Sequence, residues 1–160
     1  MAEGIDTTPE WIEGKLGISE RRQMDSSDNP SDMAYRATLK ALANANLDKE
    51  DLDMIIVVTS SPEQISPSTA CSLNNKLELE KNVPSFDINA VCAGFVYGIS
   101  MAAPLISSGA YKNILIVASE GYSRITDYTH RNAVFFGDGA GAVILSSSEK
   151  GWISSELSAN

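Results

Sequence analysis

The stretch Asp87-Ile88-Asn89-Ala90-Val91-Cys92-Ala93-Gly94-Phe95 joins a short strand pattern to a helix pattern rich in small residues. We predict a strand over residues 85–89, a two-residue turn, and a helix over residues 92–108 that Cys92 opens. Unpaired N–H groups and the positive dipole end at a helix N-terminus favour a thiolate and can hold an oxyanion during acyl transfer. The position suits a nucleophile, and it leaves open a buried structural cysteine as the alternative.

Strand and helix patterns alternate on both sides of this stretch. A continuous β-branched run over residues 54–59 predicts a strand covered on both faces, and residues 113–119 predict another. Helices are predicted over residues 68–79 and over residues 31–46, the latter capped by Ser31. A shorter helix starts after Pro9 and is broken by glycines at 14 and 17. This alternation predicts an α/β fold, with residues 1–160 forming one domain.

Two more strands are predicted around a glycine-rich stretch. Residues 134–136 and 142–145 are apolar without helical spacing, so we predict a tight hairpin between them. The sequence between them lacks the Gly-Lys-Ser/Thr ending of a phosphate-binding loop. We therefore predict a structural turn next to the nucleophile, in which Asp138 holds the backbone and the glycines are Gly137, Gly139 and Gly141. Residues 151–157 have the pattern of one further strand.

Composition and charge exclude several classes of protein. Lys plus Arg number 12 against 21 Asp plus Glu, a net charge of −9, which argues against a nucleic-acid partner. No apolar run approaches the roughly 20 residues that cross a bilayer, and the first residues lack the order of a signal peptide. Two cysteines and one histidine provide neither a disulfide framework nor a zinc site. We expect a cytoplasmic location, no membrane and no metal.

Three other side chains have chemistry to weigh. Ser119, in Val117-Ala118-Ser119-Glu120-Gly121, is a possible hydrolase nucleophile, but the first glycine of that motif is missing. His130 could serve as a general base, although its polar surroundings favour an ordinary loop histidine. Cys71 lies within a predicted helix, and we expect a small buried residue there.

Two motifs in order carry a family resemblance. The setting of Cys92, followed by Arg131-Asn132-Ala133-Val134-Phe135-Phe136-Gly137-Asp138-Gly139-Ala140-Gly141-Ala142, resembles the β-ketoacyl-acyl-carrier-protein synthase III family of thiolase-fold condensing enzymes. The segment from Glu10 to Arg21 resembles a third family element. The resemblance covers nearly the whole chain. It implies a thiolase-like layered α/β fold, with a mixed sheet and a buried helix that bears the nucleophile, of which this chain is the N-terminal half without its first strand.

The resemblance also implies a chemistry. Cys92 would take the acyl group from an acyl-CoA, and the acyl-enzyme would condense with malonyl-acyl-carrier protein with decarboxylation, as in the initiation of fatty-acid biosynthesis. Trp11 and Arg131 stand where the family sandwiches the adenine of CoA. Lys15 stands at a substrate-contact position where arginine is common. Acyl-CoA enters as a substrate, and no cofactor is implied.

Other implied features concern the acyl pocket and partners. Ser66, before Pro67, stands where bacterial enzymes often carry a phenylalanine that a partner subunit inserts into the acyl pocket, so a roomier pocket is expected. The family's dimer would place residues 85–89 at a twofold interface. The acidic carrier protein would dock outside this sequence or on Lys15, Arg21 and Arg22.

Two alternatives and one expectation follow from these motifs. The family's catalytic histidine and asparagine lie outside this sequence, so we expect the chain alone not to complete a condensation. A related acyltransferase of secondary metabolism would use Cys92 to move an acyl group to oxygen or nitrogen. A non-catalytic subunit or scaffold would carry Cys92 without reaction. The chemistry of the acceptor and the reactivity of the thiol separate these readings.

Overall fold

The computed structural model describes residues 5–149 and 151–158, and it contains a mixed sheet between helices. In chain order its main elements are α1 Pro9–Leu16, α2 Pro30–Ala45, β1 Met54–Val58, α3 Thr69–Leu77, β2 Ser85–Ile88, α4 Gly94–Ser107, β3 Asn113–Gly121 and β4 Asp138–Ser146. Short 3-10 turns cover Lys49–Asp51, Val91–Ala93, Tyr122–Arg124 and Arg131–Phe135. The predicted α/β alternation is confirmed.

The strand order is β2-β1-β3-β4. The first three are parallel, with Val57 opposite both Asp87 and Val117, and β4 runs antiparallel to β3. The carboxyl ends of β2, β1 and β3 therefore lie along one side of the sheet, which we call the carboxyl edge. In open α/β sheets this is the edge at which ligands bind.

Strand β1 lies at the centre of two apolar layers. Ile55 and Val57 pack against α2 and α3 on one face, while Ile56 and Val58 pack with α4 residues on the other. All five residues of β1 are buried, which explains the uninterrupted β-branched run in the sequence. Among the described helices, none is long and apolar enough to span a bilayer.

Helix α2 begins one residue earlier than predicted. Asn29 is the N-cap residue, Pro30 takes the first helical position, and the Asp32 carboxylate accepts the Asn29 N–H at 2.8 Å. Ser31 is therefore not the cap. Its N–H and hydroxyl donate instead to the carboxylate of Glu63, at 2.9 and 2.8 Å, so this acidic side chain from a distant loop occupies the positive end of the helix.

The predicted hairpin around the glycine-rich stretch is wrong. Residues 134–135 belong to the 3-10 turn Arg131–Phe135. Gly139 and Gly141 lie within β4, opposite Glu120 and Ala118. The glycines favour a turn locally, but continuous pairing with β3 over nine residues places them in a strand. Described residues 151–158 contain no strand, so that prediction is also wrong.

Helix α4 approaches the sheet through two glycines. A Cβ added to Gly94 would lie 2.3 Å from Val58 Cγ1, and one added to Gly98 would lie 3.2 Å from Ile116 Cγ2. The first distance is far below van der Waals contact, so the start of the helix sits on β1 only because residue 94 has no side chain.

We predict that Gly94→Ala lowers the free energy of unfolding by about 1–3 kcal/mol, since the new methyl must displace Val58 in a packed core. Gly14→Ala is the matched control, because a Cβ there meets nothing within 4 Å and lies inside α1. Urea unfolding of the two variants measures the difference. Equal stabilities would contradict the packing argument.

Asp53 ties the starts of β1 and β3 together, on the edge opposite the carboxyl edge. Its Oδ2 accepts the N–H groups of Lys112 and Asn113 at 2.9 and 3.0 Å, and Lys81 Nζ lies 3.3 Å from Oδ1. Burial alone would raise the pKa of Asp53, but the hydrogen bonds from Asn113, Lys112 and Lys81 outweigh it, so this pKa lies below its usual value.

We predict that Asp53→Asn lowers the free energy of unfolding by about 1 kcal/mol near neutral pH. A carboxylate with a lowered folded pKa contributes its stability above its unfolded pKa of about 3.9 and loses it as pH falls through the folded value. The difference between wild type and variant should therefore shrink on acidification below about pH 4. A difference in urea-unfolding free energy that does not change with pH would refute the assignment.

Candidate active site

Cys92 lies on the 3-10 turn Val91–Ala93 that links β2 to α4, and it is exposed as a free thiol. The helix proper starts at Gly94, two residues later than predicted. The predicted strand, turn and cysteine nevertheless follow one another at the carboxyl edge. Within the described residues, Cys92 is therefore an accessible side chain beside a helix N-terminus, where backbone N–H groups lack helical acceptors.

The residue before Cys92 has an unusual backbone. Val91 has φ of 47°, in the left-handed region that a β-branched residue rarely adopts. Strained backbone of this kind concentrates at functional sites, where the surrounding structure holds it. Sequence reasoning missed it, because valine is among the least expected residues for this conformation and gives no signal.

Asp87, in the same motif, has a structural task. Its two carboxylate oxygens accept the N–H groups of Thr69 and Ala70, each at 2.8 Å, and Ser68 caps the same helix through its hydroxyl. A carboxylate on β2 thus holds the N-terminus of α3. The end of the 59–67 loop is thereby fixed to the strand that leads to Cys92.

Trp11 and Arg131, which the family resemblance places on either side of adenine, lie in contact with each other. The Arg131 Cζ lies 4.6 Å from the centroid of the Trp11 ring, a cation–π contact between α1 and the connection from β3 to β4. Lys15 is exposed one helical turn after Trp11, on the same side of α1. A ligand ring stacked between Trp11 and Arg131 would need about 7 Å between the indole and the guanidinium, twice a normal contact distance. In this structure the guanidinium lies directly on the indole, which leaves no space for such a ring.

Asp138 holds the backbone as predicted, although from a strand. It accepts the N–H of Met24 at 2.8 Å and the N–H of Ser123 at 2.7 Å, while its own N–H donates to the Arg22 carbonyl. A Cβ on Gly137 would lie 3.0 Å from that carbonyl oxygen. The start of β4 is therefore the platform on which the 21–24 segment docks.

His130 is a loop residue, as predicted. Its Nδ1 accepts the Asn132 N–H at 3.2 Å and caps the 3-10 turn that carries Arg131. Nearby, the Thr129 hydroxyl and backbone N–H, with a smaller effect of His130, hold the pKa of the exposed Asp127 below its usual value.

Ser119 and Cys71 are not candidates for the same chemistry. Ser119 is wholly buried, and its hydroxyl donates to the Pro30 carbonyl at 2.7 Å, so the hydrolase motif has no accessible nucleophile. The prediction that Cys71 is buried is wrong. The inner face of α3 is formed by Ala70, Leu73 and Leu77, which turns Cys71 outward.

Ser66 and Pro67 lie in the exposed part of the loop of residues 59–67 that follows β1. Ile65 beside them is 99% exposed. In the part of the chain that the structure describes, no three His, Cys, Asp or Glu side chains form a group that could hold a metal ion.

Comparison with known proteins agrees with this geometry. Residues 86–160 match the family 3-Oxoacyl-[acyl-carrier-protein (ACP)] synthase III. The β-ketoacyl-[acyl-carrier-protein] synthase III of Fusobacterium nucleatum is 49% identical over 149 residues, covering 92% of this chain and 45% of the relative. The crystal structure of the Aquifex aeolicus VF5 3-oxoacyl-[acyl-carrier-protein] synthase III has a TM-score of 0.87 at 42% identity, covering 92% of this chain and 48% of that one.

A priming β-ketosynthase from the R1128 polyketide biosynthetic pathway also has a TM-score of 0.87, at 33% identity, with coverage of 93% and 45%. The sheet, the helices on both faces and the cysteine at the carboxyl edge define a thiolase-type α/β fold. The chain belongs to the 3-oxoacyl-acyl-carrier-protein synthase III family. It spans about half the length of the curated relatives it matches.

We predict that Arg131→Ala uncovers one face of Trp11. In a Trp152→Phe background, which leaves Trp11 as the only tryptophan, acrylamide should quench the fluorescence more strongly after this change. The lost contact is worth about 0.5–1 kcal/mol at an exposed site, so the fold should persist. Arg22→Ala, which removes an exposed arginine beside Glu20, is the control. Unchanged quenching in Arg131→Ala would contradict the contact.

Proposed function

We propose that the complete protein is a 3-oxoacyl-acyl-carrier-protein synthase III, an acyltransferase that condenses an acyl-CoA with malonyl-acyl-carrier protein. The observation that carries the proposal is the exposed Cys92 in a strained turn at the N-terminus of α4, in a chain of this family. Its partners are acyl-CoA and acyl-carrier protein, it needs no further cofactor, and it works in the cytoplasm.

In the first step, the Cys92 thiolate attacks the carbonyl carbon of the acyl-CoA thioester. The bond from that carbon to Cys92 forms, the bond to the CoA sulfur breaks, and CoA leaves as its thiol after taking up a proton. Backbone N–H groups beside the cysteine stabilise the oxyanion between these events. The product is again a thioester, so the acyl group stays activated.

In the second step, malonyl-acyl-carrier protein loses carbon dioxide, and the resulting carbanion attacks the acyl carbon on Cys92. A carbon–carbon bond forms as the bond from the acyl carbon to the Cys92 sulfur breaks, which returns the Cys92 thiolate. The histidine and asparagine that the family resemblance assigns to this step lie outside this sequence. The residues of this chain therefore account for acyl loading.

Trp11, Arg131 and Lys15 form the proposed CoA-binding group. The indole face and the guanidinium suit an adenine ring, and the exposed Lys15 amine suits the CoA phosphates. For the ring to enter, Arg131 must move off the indole. The cations at Lys15, Arg21 and Arg22 also offer an acidic carrier protein a local positive surface in a chain of net charge −9.

Ser66 is the proposed wall of the acyl pocket, with Pro67 beside it. Its small side chain leaves room for longer or branched acyl groups. A strict preference of the complete protein for acetyl-CoA would overturn this part of the proposal.

Helix α4 supports the proposed second half of the fold. One side packs on the sheet, while Val96 and Met101 on the other side are 55% and 45% exposed. A helix that is apolar all round suits burial from both sides. We propose that the remainder of the protein covers this face and completes the buried helix of the family.

The proposed homodimer uses the β2 side of the sheet. β2 is an edge strand within the described residues, half-buried along its length, and the fully exposed Ile65 lies in the loop that would reach the partner. Unpaired strand edges and exposed large apolar side chains are features that partner chains cover.

We predict that Ile65→Ser weakens the dimer. Analytical ultracentrifugation of the complete protein should show a dissociation constant raised at least about tenfold, as for loss of a buried interface side chain. Ile125→Ser, at another exposed isoleucine, should leave it unchanged. A dimer insensitive to Ile65→Ser, or a monomeric wild type, would contradict the interface.

We predict that intact-protein mass spectrometry detects one acyl adduct after incubation with acyl-CoA thioesters, and that peptide mapping places it on Cys92. Cys92→Ser should abolish the adduct, whereas Cys71→Ser, at the other exposed thiol, should retain it. A folded protein that loads nothing would favour the scaffold alternative. An adduct on Cys71 would mean that the reactive cysteine lies on α3, and it would contradict the assignment of Cys92.

If loading is confirmed, the acceptor decides between the condensing enzyme and the related acyltransferase. A product that contains a new carbon–carbon bond and releases carbon dioxide supports the synthase. Transfer to oxygen or nitrogen without decarboxylation supports the alternative.

A further inference from the structure

Glu120, near the end of β3, is the centre of a hydrogen-bond cluster that the proposed chemistry does not use. Its Oε1 accepts the N–H and the hydroxyl of Ser60 at 2.9 and 3.0 Å. Its Oε2 accepts the hydroxyls of Ser61 and, at 3.4 Å, Thr59. These four donors are neutral and all come from the first three residues after β1. The carboxylate therefore clamps the start of the 59–67 loop to β3.

The hydrogen-bond donors around Glu120 cannot easily change partners. Thr59 Oγ1 accepts the Ser61 N–H at 3.2 Å, and Ser61 Oγ accepts the Gly121 N–H at 2.8 Å, so both hydroxyls donate toward Glu120 while accepting from the backbone. Only a group with two acceptor oxygens satisfies all four donors. A glutamine has one acceptor oxygen, and its amide would face hydroxyls that already donate.

A second chain of contacts runs from the cluster to the turn that carries Arg131. The Ser60 hydroxyl lies 2.8 Å from the Tyr122 hydroxyl, which donates because the Ser60 proton points at Glu120. The Tyr122 ring stacks on Phe136 with centroids 4.8 Å apart and planes 10° apart. Phe136 directly follows the 3-10 turn Arg131–Phe135.

The same loop is held at two further points. Glu63 caps α2 through Ser31, and Asp87 on β2 holds the helix start that follows Pro67. The segment with Ile65 and Ser66 therefore spans fixed anchors, and Glu120 supplies the anchor nearest β1. Any shift at Ser60 and Ser61 is transmitted to this segment, since its other end cannot follow.

We propose that Glu120 is a positioning residue that sets acyl-chain selectivity in the dimer by fixing the loop through which Ser66 reaches the acyl pocket of the partner subunit. The proposal rests on the proposed function, because Ser66 is the pocket wall only if Cys92 carries the acyl group. Glu120 acts through the loop and has no contact role with substrate.

The test compares Glu120→Gln with Asp53→Asn in the complete protein. The two carboxylates tie the same pair of strands, Glu120 at the carboxyl edge and Asp53 at the opposite edge, so both changes loosen β1 and β3 but only one lies near the loop. Wild type and variants are incubated with equimolar acetyl-CoA and hexanoyl-CoA, and the ratio of the two Cys92 adducts is read by intact mass.

We expect Glu120→Gln to change this ratio by about threefold or more, since a single methylene in a pocket is already worth roughly tenfold. Asp53→Asn should leave it as in wild type. Ser60→Ala, which removes one donor and the link to Tyr122, should give a smaller change in the same direction and replaces Glu120→Gln if that variant does not fold. Equal ratios in all proteins would overturn the proposal.

Hydrogen exchange separates this result from a failure of the proposed function. Amides of residues 60–67 and 131–136 should exchange faster in Glu120→Gln than in Asp53→Asn, whether or not the protein loads acyl groups. A wild type that loads nothing refutes the proposed function, and the selectivity role with it. Exchange that is equal in the two variants refutes the positioning role itself.

Discussion

The close approach of α4 to β1 at Gly94 is the contact on which the site depends. With no side chain at residue 94, the first turn of the helix lies against Val58, and the cysteine two residues earlier is held at the end of the sheet. Val91, just before the cysteine, has its backbone in the left-handed region. Strained backbone at Val91 and close packing at Gly94 thus flank Cys92, the proposed nucleophile.

Carboxylates fix the remaining loops at the same edge. Asp87, Glu63 and Asp138 each accept two or more hydrogen bonds, either at a helix N-terminus or from a loop backbone. Loops that would otherwise be free at a sheet edge are thereby tied to strands and helices. The acidic composition, which argues against a nucleic-acid partner, thus also serves to organise backbone N–H groups.

The sequence predicted the elements whose signal is local. The buried run of β1, the helix that follows Pro67 and the order of strand, turn and cysteine at 85–94 all follow from spacing and residue type. The resemblance paired Trp11 with Arg131, which lie 120 positions apart and share no local pattern. The hairpin failed because Gly139 and Gly141 look like turn residues, whereas their strand conformation is set by a partner strand.

Side-chain networks were the part that no pattern could indicate. Glu63 and Glu120 stand in stretches without periodicity, and their partners are 32 and about 60 positions away. The left-handed backbone at Val91 carries no sequence signature, because glycine or asparagine would be expected there. The burial of Cys71 was predicted wrongly for a simpler reason. Only one face of α3 packs inward, and Cys71, next to Ala70 on that face, points to solvent.

If Trp11 and Arg131 bind the adenine of CoA as proposed, their direct stacking makes that binding selective. A flat ring that arrives must first replace the guanidinium, so the free energy of separating the pair is subtracted from whatever the ring gains by stacking. For an uncharged aromatic molecule, stacking on Trp11 replaces the Arg131–Trp11 contact with a contact of similar free energy, so the net gain in binding free energy is small. A ligand that also carries anionic groups offers the displaced guanidinium and Lys15 a new partner and recovers that loss. In the proposed role, the pair would therefore favour, among molecules that share the same ring, those that carry anionic groups.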